Sequence, residues 1–301
     1  MSRRMRHRKK RGGWIAAIVL VIVLLAGFFT WLGWEVADKY LSRKADKEAE
    51  KYVDKPASSD EPVYILALGT DERLENERAR TDTIMIFRLD PKTKEVRLLS
   101  IPRDTYVDIP GRGKDKINHA YAFGGIPLTL ATVKKFTGLP IHYYVRTNFE
   151  GFKDIVDTLG GVTIYVEKDM VSGSGKYAIN LKKGYHRLNG EQALQYVRFR
   201  NDPQGDIGRI ERQQKFIKAV MDEMMQSGTL LKLPTLLPQL QKAVETNMTI
   251  TDALRLKKMV EGGGEMKRYS IPGEPLWLNG ISYWKPDIQK IREVIREFSG
   301  E

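Results

Sequence analysis

Short apolar runs alternate with amphipathic stretches along most of this chain, and one long uncharged run lies near its start. Val63–Leu68, Thr83–Leu89 and Val96–Ile101 are rich in Ile, Leu and Val and too short for helices, so they read as buried strands. The polar turn Pro91–Lys94 joins the second to the third as a hairpin. A turn centred between Lys92 and Thr93 sets Asp82 opposite Arg103, just beyond the strand ends. If the first strand runs antiparallel to the second, Asp71 reaches the same edge. Two carboxylates and a guanidinium then meet at one end of a sheet.

From Val63 onward strands and helices alternate without a linker or repeat, which predicts one α/β domain over 63–301. The polar loop GRGKDKINHAYAFGG leads to a short helical piece and then an amphipathic helix near Pro127–Phe136. A strand at Ile141–Arg146 precedes a helix capped by Asn148 and stopped at its Gly pair. A strand at Val162–Glu167 and a loose hairpin over Lys176–Leu188 come next. Asn189 and Gln192 spell a capping box for the following helix. A long helix is expected from about Ile207 to Gln226, with Ile210, Ile217, Met221 and Met224 as its core stripe. The apolar LLKLPTLLPQLQKAV, a capped helix TDALRLKKMVEGG, a strand at Met266–Ile271, an aromatic hairpin around LWLNGISYW and a helix Pro286–Phe298 complete the chain.

The uncharged run, Trp14–Trp34, has 21 residues bounded by tryptophans. A bilayer core needs about 20 apolar residues as a helix, and tryptophans suit its interfaces. It is too long for a signal-peptide core and lacks a small-residue cleavage site, so a transmembrane helix is expected rather than a cleaved leader. The basic tail 1–13 fixes the N-terminus in the cytoplasm, which makes a single-pass type II cell-membrane protein with everything after Trp34 outside. Residues 35–62 read as a charged extracellular stalk, helical through about Val53, that would raise the domain roughly 25–30 Å.

The net charge of +12 suggests an anionic partner, yet seven of those charges sit in the first thirteen residues. With no cysteine, disulfides, thiolate zinc sites and thiol nucleophiles are excluded. The four scattered histidines have no metal-binding spacing, and neither a Walker A loop nor a G-x-S-x-G elbow occurs.

What remains is a pattern of arginines and acids. Arg198 and Arg200 are two apart and would project to one side of an extended segment. Arg209 and Gln213 share a helix face near a helix start, where free N–H groups also favour anions, and Arg212 borders that face. Arginine forks onto phosphate oxygens, so this set suits a pyrophosphate; ion pairs with Asp202, Asp206 and Glu211 are the alternative. Asp71 and Asp82 suit a hard cation such as Mg²⁺ shared with phosphates, or else cap turns and pair with Arg73, Arg80 or Arg103. Lys116 and His119 lie close enough in sequence to add a contact. The apolar excess in Ile126–Phe136 and Leu230–Leu240 allows a slot for a lipid tail, whereas Tyr121, Phe123, Phe149 and Phe152 read as core.

The segments GTDER, RTDTIM, SIPRDT, KINHAYAFGG, LNGEQALQYVRFR and GDIGRIERQQ, in that order behind the anchor, resemble the LytR-CpsA-Psr family, including its wall teichoic acid ligases, over most of Val63–Arg212. The resemblance implies an α/β/α sandwich with a central mixed sheet. It implies an enzyme of Gram-positive bacteria that moves an anionic glycopolymer, wall teichoic acid, from a polyprenyl (undecaprenyl) pyrophosphate in membrane lipid to peptidoglycan. It also implies Mg²⁺, with Mn²⁺ as a substitute, and a hydrophobic pocket for the prenyl chain. By motif, Asp71 and Asp82 resemble the metal ligands. Arg103, Arg198, Arg200, Arg209 and Gln213 resemble the pyrophosphate-binding set, and Arg73 and Lys116 match positions of less defined role. Asp82 and Arg103 are then the catalytic pair, with Asp82 either a base or a metal ligand. Thr81 stands where the family often has Ser.

Two other readings compete. A polyprenyl-pyrophosphate hydrolase differs only in sending the phosphate to water. A membrane-bound transcriptional regulator needs nucleic acid on the cytoplasmic side, where only thirteen residues without a helix-turn-helix are expected. No nucleic acid partner is expected.

Overall fold

The structure is a computed structural model that describes residues 47–55, 58, 60–71, 79–175, 178–201, 206–224, 244–249, 252, 255–256, 259 and 266–301. The expected anchor 14–34 and the apolar stretch 230–243 lie outside the described residues, as do Arg73 and much of the expected helix TDALRLKKMVEGG. Among the described residues no helix is long and apolar enough to cross a membrane.

The strands are β1 (Val63–Thr70), β2 (Thr81–Leu89), β3 (Val96–Ser100), β4 (Tyr106–Ile109), β5 (Gly113–Lys116), β6 (Tyr143–Asn148), β7 (Val162–Val166), β8 (Met170–Ser172), β9 (Ile179–Leu181), β10 (Gly184–Leu188), β11 (Val244–Thr246), β12 (Lys267–Ser270), β13 (Gly273–Leu278) and β14 (Ile281–Pro286). The helices are α1 (His119–Thr137), α2 (Phe149–Thr158), α3 (Gly190–Arg198), α4 (Asp206–Met224) and α5 (Ile288–Ser299). Six strands make a central mixed sheet in the order β11-β6-β1-β2-β3-β12. β6 runs parallel to β1 and β12 parallel to β3, and the other neighbours are antiparallel. The fold is therefore α/β around a mixed sheet, as expected.

Alternate residues of these strands face two different layers. Tyr64, Leu66, Leu68, Ile84, Ile86 and Leu99 pack with Ile126, Leu130 and Val133 of α1 and Ile291 and Phe298 of α5 in one continuous core. Residues of the opposite set, among them Ile65, Ala67, Met85 and Phe87, look toward α2, α3 and α4. α1 bends where Gly124 and Gly125 leave helical geometry, with Gly125 at φ 60°, and so forms the two expected helical pieces. Gly190 lets α3 meet α2 closely: a Cβ there would lie 2.5 Å from the Lys153 carbonyl oxygen. The predicted capping box at Asn189 and Gln192 forms in full, and Asn148 caps α2.

Several expectations change. GRGKDK is not a loop: with Tyr106–Ile109 it forms the β4–β5 hairpin. Lys176–Leu188 is not one hairpin, because β9 pairs with β8 and β10 pairs with β7. The described end of the stalk is a single 3-10 turn at Ala49–Lys51. Ala49 is buried in the core beside α1, Val53 packs against it, and Asp54 pairs with Lys134 at 2.6 Å, so this part rests on the domain.

Candidate active site

The charged groups converge where β1 ends, β2 begins and β3 ends. The β2–β3 register, Met85↔Ser100 through Leu89↔Val96, carries Asp82 opposite Arg103 as the turn predicts. Arg103 Nη1 donates to Asp82 Oδ1. The other oxygen, Asp82 Oδ2, lies 3.7 Å from Arg200 Nη2. Arg103 Nε is 3.5 Å from Asp104 Oδ2, and Asp104 Oδ1 is 2.9 Å from Lys116 Nζ. Charges thus alternate along the edge in the order Arg200, Asp82, Arg103, Asp104, Lys116. Each carboxylate holds its neighbouring cations in place, which orders the arginines before any ligand arrives.

β1 and β2 are antiparallel, so Asp71 joins this edge; its backbone N–H donates to the Arg80 carbonyl at 3.1 Å, and its Oδ1 accepts from Arg80 N at 3.1 Å. Asp71 therefore caps the β1–β2 connection as well as presenting a carboxylate. Two carboxylates at one edge are what Mg²⁺ takes when waters and substrate phosphates fill the rest of its shell. Among the described residues no group of three or more His, Asp or Glu stands ready to hold a metal unaided. The donor set fits a cation completed by its substrate.

Beneath the second face of the sheet lies a cavity of about 490 Å³. Its walls are apolar: Ile65, Ala67, Met85 and Phe87 from the sheet, and Phe149, Phe152, Leu194, Val197, Phe216 and Ile217 from α2, α3 and α4. Its polar lining is confined to a few groups, and these include Asp82, Arg198, Arg200, Arg209 and Gln213. The slot for an apolar tail is therefore not in Ile126–Phe136, whose Ile126, Leu130 and Val133 fill the opposite core. Phe149 and Ile217 line the cavity, while Phe152 both lines it and packs against the buried cluster of Val156, Tyr196 and Phe216, as a core residue would.

Arg198 is the last residue of α3 rather than part of an extended run, and its guanidinium lies 5.1 Å from the Phe149 ring centre. Phe199 ends the helix, and Arg200 follows it toward Asp82. Arg209 is only 2 % exposed although it borders the cavity. Arg212 lies outside the cavity lining: its Nη2 donates to the Phe199 carbonyl at 2.6 Å and its guanidinium lies 5.2 Å from that ring, which pins the corner carrying Arg200. Gln214 Nε2 donates to Ser100 Oγ at 2.9 Å and ties α4 to β3. At the other side of α4, Lys215 and Tyr196 both bond Glu167 Oε1. Burial raises the Tyr196 phenol, and its bond to Glu167 adds to that.

Lys116 does not line the cavity; it reaches the edge through Asp104, with Nζ also 5.4 Å from the Tyr283 ring. His119 bonds Asp115 at 2.8 Å. Arg73 lies outside the described residues. Sequence reasoning missed Asp104, which follows Arg103 and sits one residue past a recognised cluster. It also missed Arg146, which bonds Thr70 Oγ1 at 3.2 Å and Glu245 at 2.7 Å and so fixes Thr70 at the cavity. Nothing local marks Arg146, because its partners come from distant strands.

Comparison with known proteins agrees with the fold. The sequence model of the LytR_cpsA_psr family matches residues 30–299. The chain is 39 % identical over 258 residues, 83 % of each chain, to the polyisoprenyl-teichoic acid–peptidoglycan teichoic acid transferase TagU of Bacillus mycoides. Among solved structures it resembles TagT bound to LI-WTA, at 32 % identity and TM-score 0.68, over 83 % of this chain and 94 % of that one. It also resembles TagT with bound octaprenyl pyrophosphate lipid, at 30 % identity and TM-score 0.64, over the same shares of both chains.

Proposed function

The chain belongs to the LytR_cpsA_psr family, and from that premise we propose that it transfers wall teichoic acid from undecaprenyl pyrophosphate to a sugar hydroxyl of peptidoglycan. One observation carries the proposal: an apolar cavity opens onto Asp82, Arg198, Arg200, Arg209 and Gln213. A prenyl chain needs the walls, and a pyrophosphate needs the arginines. The relatives whose names and titles specify a teichoic acid transferase, and one with a prenyl pyrophosphate bound, support the same reading.

The acceptor hydroxyl attacks the phosphorus next to the polymer. A new P–O bond forms to the sugar, the P–O bond to prenyl phosphate breaks, and the hydroxyl proton leaves to a base at the open edge, Asp82 or water. Arg198, Arg200 and Arg209 bind the bridging and non-bridging oxygens of the pyrophosphate, and Arg103, held by Asp82 and Asp104, faces the charge that develops. Asp71 would hold Mg²⁺, together with Asp82 where water takes the proton, and the ion would neutralise the departing phosphate. The same proposal places 14–34 across the membrane once, with the domain outside.

The test is the full-length protein with Mg²⁺, prenyl-linked polymer and peptidoglycan. Polymer bound covalently to the wall is expected together with prenyl phosphate. Release of prenyl phosphate without wall-linked polymer would make the enzyme a hydrolase.

A further inference from the structure

β3 and β12 are parallel, so the segments that follow them emerge at one edge: Arg103–Thr105 with the β4–β5 hairpin, and the β13–β14 hairpin. The two hairpins are joined there. Thr105 bridges to Trp284, and Trp284 N donates to the Asp104 carbonyl at 2.8 Å. Tyr106 meets Tyr283 edge-on at 4.9 Å.

Strand register sorts the side chains. Tyr106, Lys114 and Lys116 share one face of β4–β5, since Tyr106 is opposite Lys116 and Asp108 opposite Lys114. Leu276 and Tyr283 share one face of β13–β14, while Trp277 is on the other. The Tyr106–Tyr283 contact makes the first two sets one surface. On it Lys114 Nζ lies 5.9 Å from the Tyr106 ring and Lys116 Nζ 5.4 Å from that of Tyr283. The acids nearby are already engaged: Asp104 with Arg103 and Lys116, Asp108 with Lys135, Asp115 with His119, and Glu274 with Lys285. Lys114 is exposed and forms no ion pair among the described residues. The face is aromatic and cationic, and it runs through Lys116 and Asp104 directly to Arg103.

We propose that this two-hairpin face is where the acceptor docks: a strand of amino sugars bearing carboxylates. Aromatic rings lie against the C–H faces of pyranose sugars, and a cation beside them takes a carboxylate. Position favours the same occupant. The cavity reaches this edge at Asp82 and Arg200, whereas the hairpins adjoin it at Arg103 and Asp104. A strand lying on the hairpins therefore brings its hydroxyls to Arg103 without crossing the lipid's place. A bilayer is the poorer occupant, because the hairpin tip is the polar turn Asn279-Gly280, with φ 50° and 77°, and the exposed apolar side chains beside it, Trp277 and Ile281, lie on opposite faces and make no single apolar wedge. The proposal rests on the transferase reading above and names its acceptor subsite.

Sedimentation of the full-length protein in detergent with purified sacculi, stripped of anionic polymer, tests it without catalysis. The double variant Tyr283→Ala/Lys114→Glu is expected to bind about tenfold more weakly. Trp277→Ala, on the opposite face and 69 % exposed, is expected to bind as the parent does. Equal binding by the double variant, or equal loss in Trp277→Ala, overturns the proposal. So does quenching of Trp277 fluorescence, taken as parent minus Trp277→Phe, in vesicles of brominated phosphatidylglycerol, which would put the hairpin in lipid. Absence of transfer with sacculus binding as predicted would fault the transferase reading instead.

Discussion

The two faces of the central sheet are built from the same kinds of residue and are used in opposite ways. On β1, Leu66 is fully buried against α1 and α5, while its neighbour Ala67 looks into the cavity. On β2, Ile86 belongs to the packed core and Phe87 to the cavity wall. Close packing on the first face supplies stability; the gap on the second is surface that an apolar ligand can cover. Hydrophobic pattern alone distinguishes neither, because both faces are shielded from water.

Mutations on neighbouring residues should separate the two roles. Leu66→Ala leaves a void in the packed face and should cost about 2–5 kcal/mol in denaturant unfolding. A cost as small as that of a surface change would mean the face is not packed. Arg103→Ala should lower transfer by about 10²–10³ with the melting temperature unmoved, since it removes a charge that faces the leaving phosphate. Retained activity would place the chemistry elsewhere. Ala67→Phe fills the cavity and should weaken binding of a prenyl pyrophosphate about tenfold, measured by fluorescence displacement, with little change in stability. Unchanged binding would show that the tail lies outside the cavity.

The smallest effect is on pH dependence. Burial holds the His142 imidazole below its ordinary value, against the pull of Asp54 and Glu61 toward the charged form. Its Nδ1 accepts from Tyr64 N at 2.9 Å on the packed side. The unfolded histidine protonates first, so stability should fall as pH drops below about 6.5 and level off once the folded form also titrates. On the cavity side, burial works to raise Glu167, but bonds from Lys215 and Tyr196 among others outweigh it and leave it below the ordinary value. That contribution is complete above about pH 4.5 and is lost only in more acid solution. Melting curves should therefore decline in two stages, and His142→Gln should flatten the first.

How much of this was legible follows from the range of the interactions. The β2–β3 register and the Asp82–Arg103 pair are local, fixed by one short turn, and were readable. So was the Asn189 capping box. The β4–β5 hairpin was not, because GRGKDK carries no apolar alternation and draws its order from Tyr106, Val107 and Ile109. The Lys176–Leu188 pairing failed because β10 finds its partner in β7 and leaves β9 to β8. Arg198 and Arg200 were rightly grouped for the wrong reason: a helix end and its cap, not an extended strand, bring both to the cavity. The site of the apolar slot was unreadable, since the apolar content of α1 suits a cavity wall and a packed helix equally, and here it is packed.

The order of strands in the sheet also bears on how the chain comes together. Its inner four strands all precede Phe149, but both outermost strands, β11 and β12, arrive only from Val244 onward. Until they do, β6 and β3 present open hydrogen-bonding edges that another copy could pair with. Long-range pairing of this kind is slow to nucleate, so a chain emerging N-terminus first would pass through an interval of exposed edges. The late tail thus acts as a closing seal, and truncation before β12 should yield aggregates rather than a smaller enzyme.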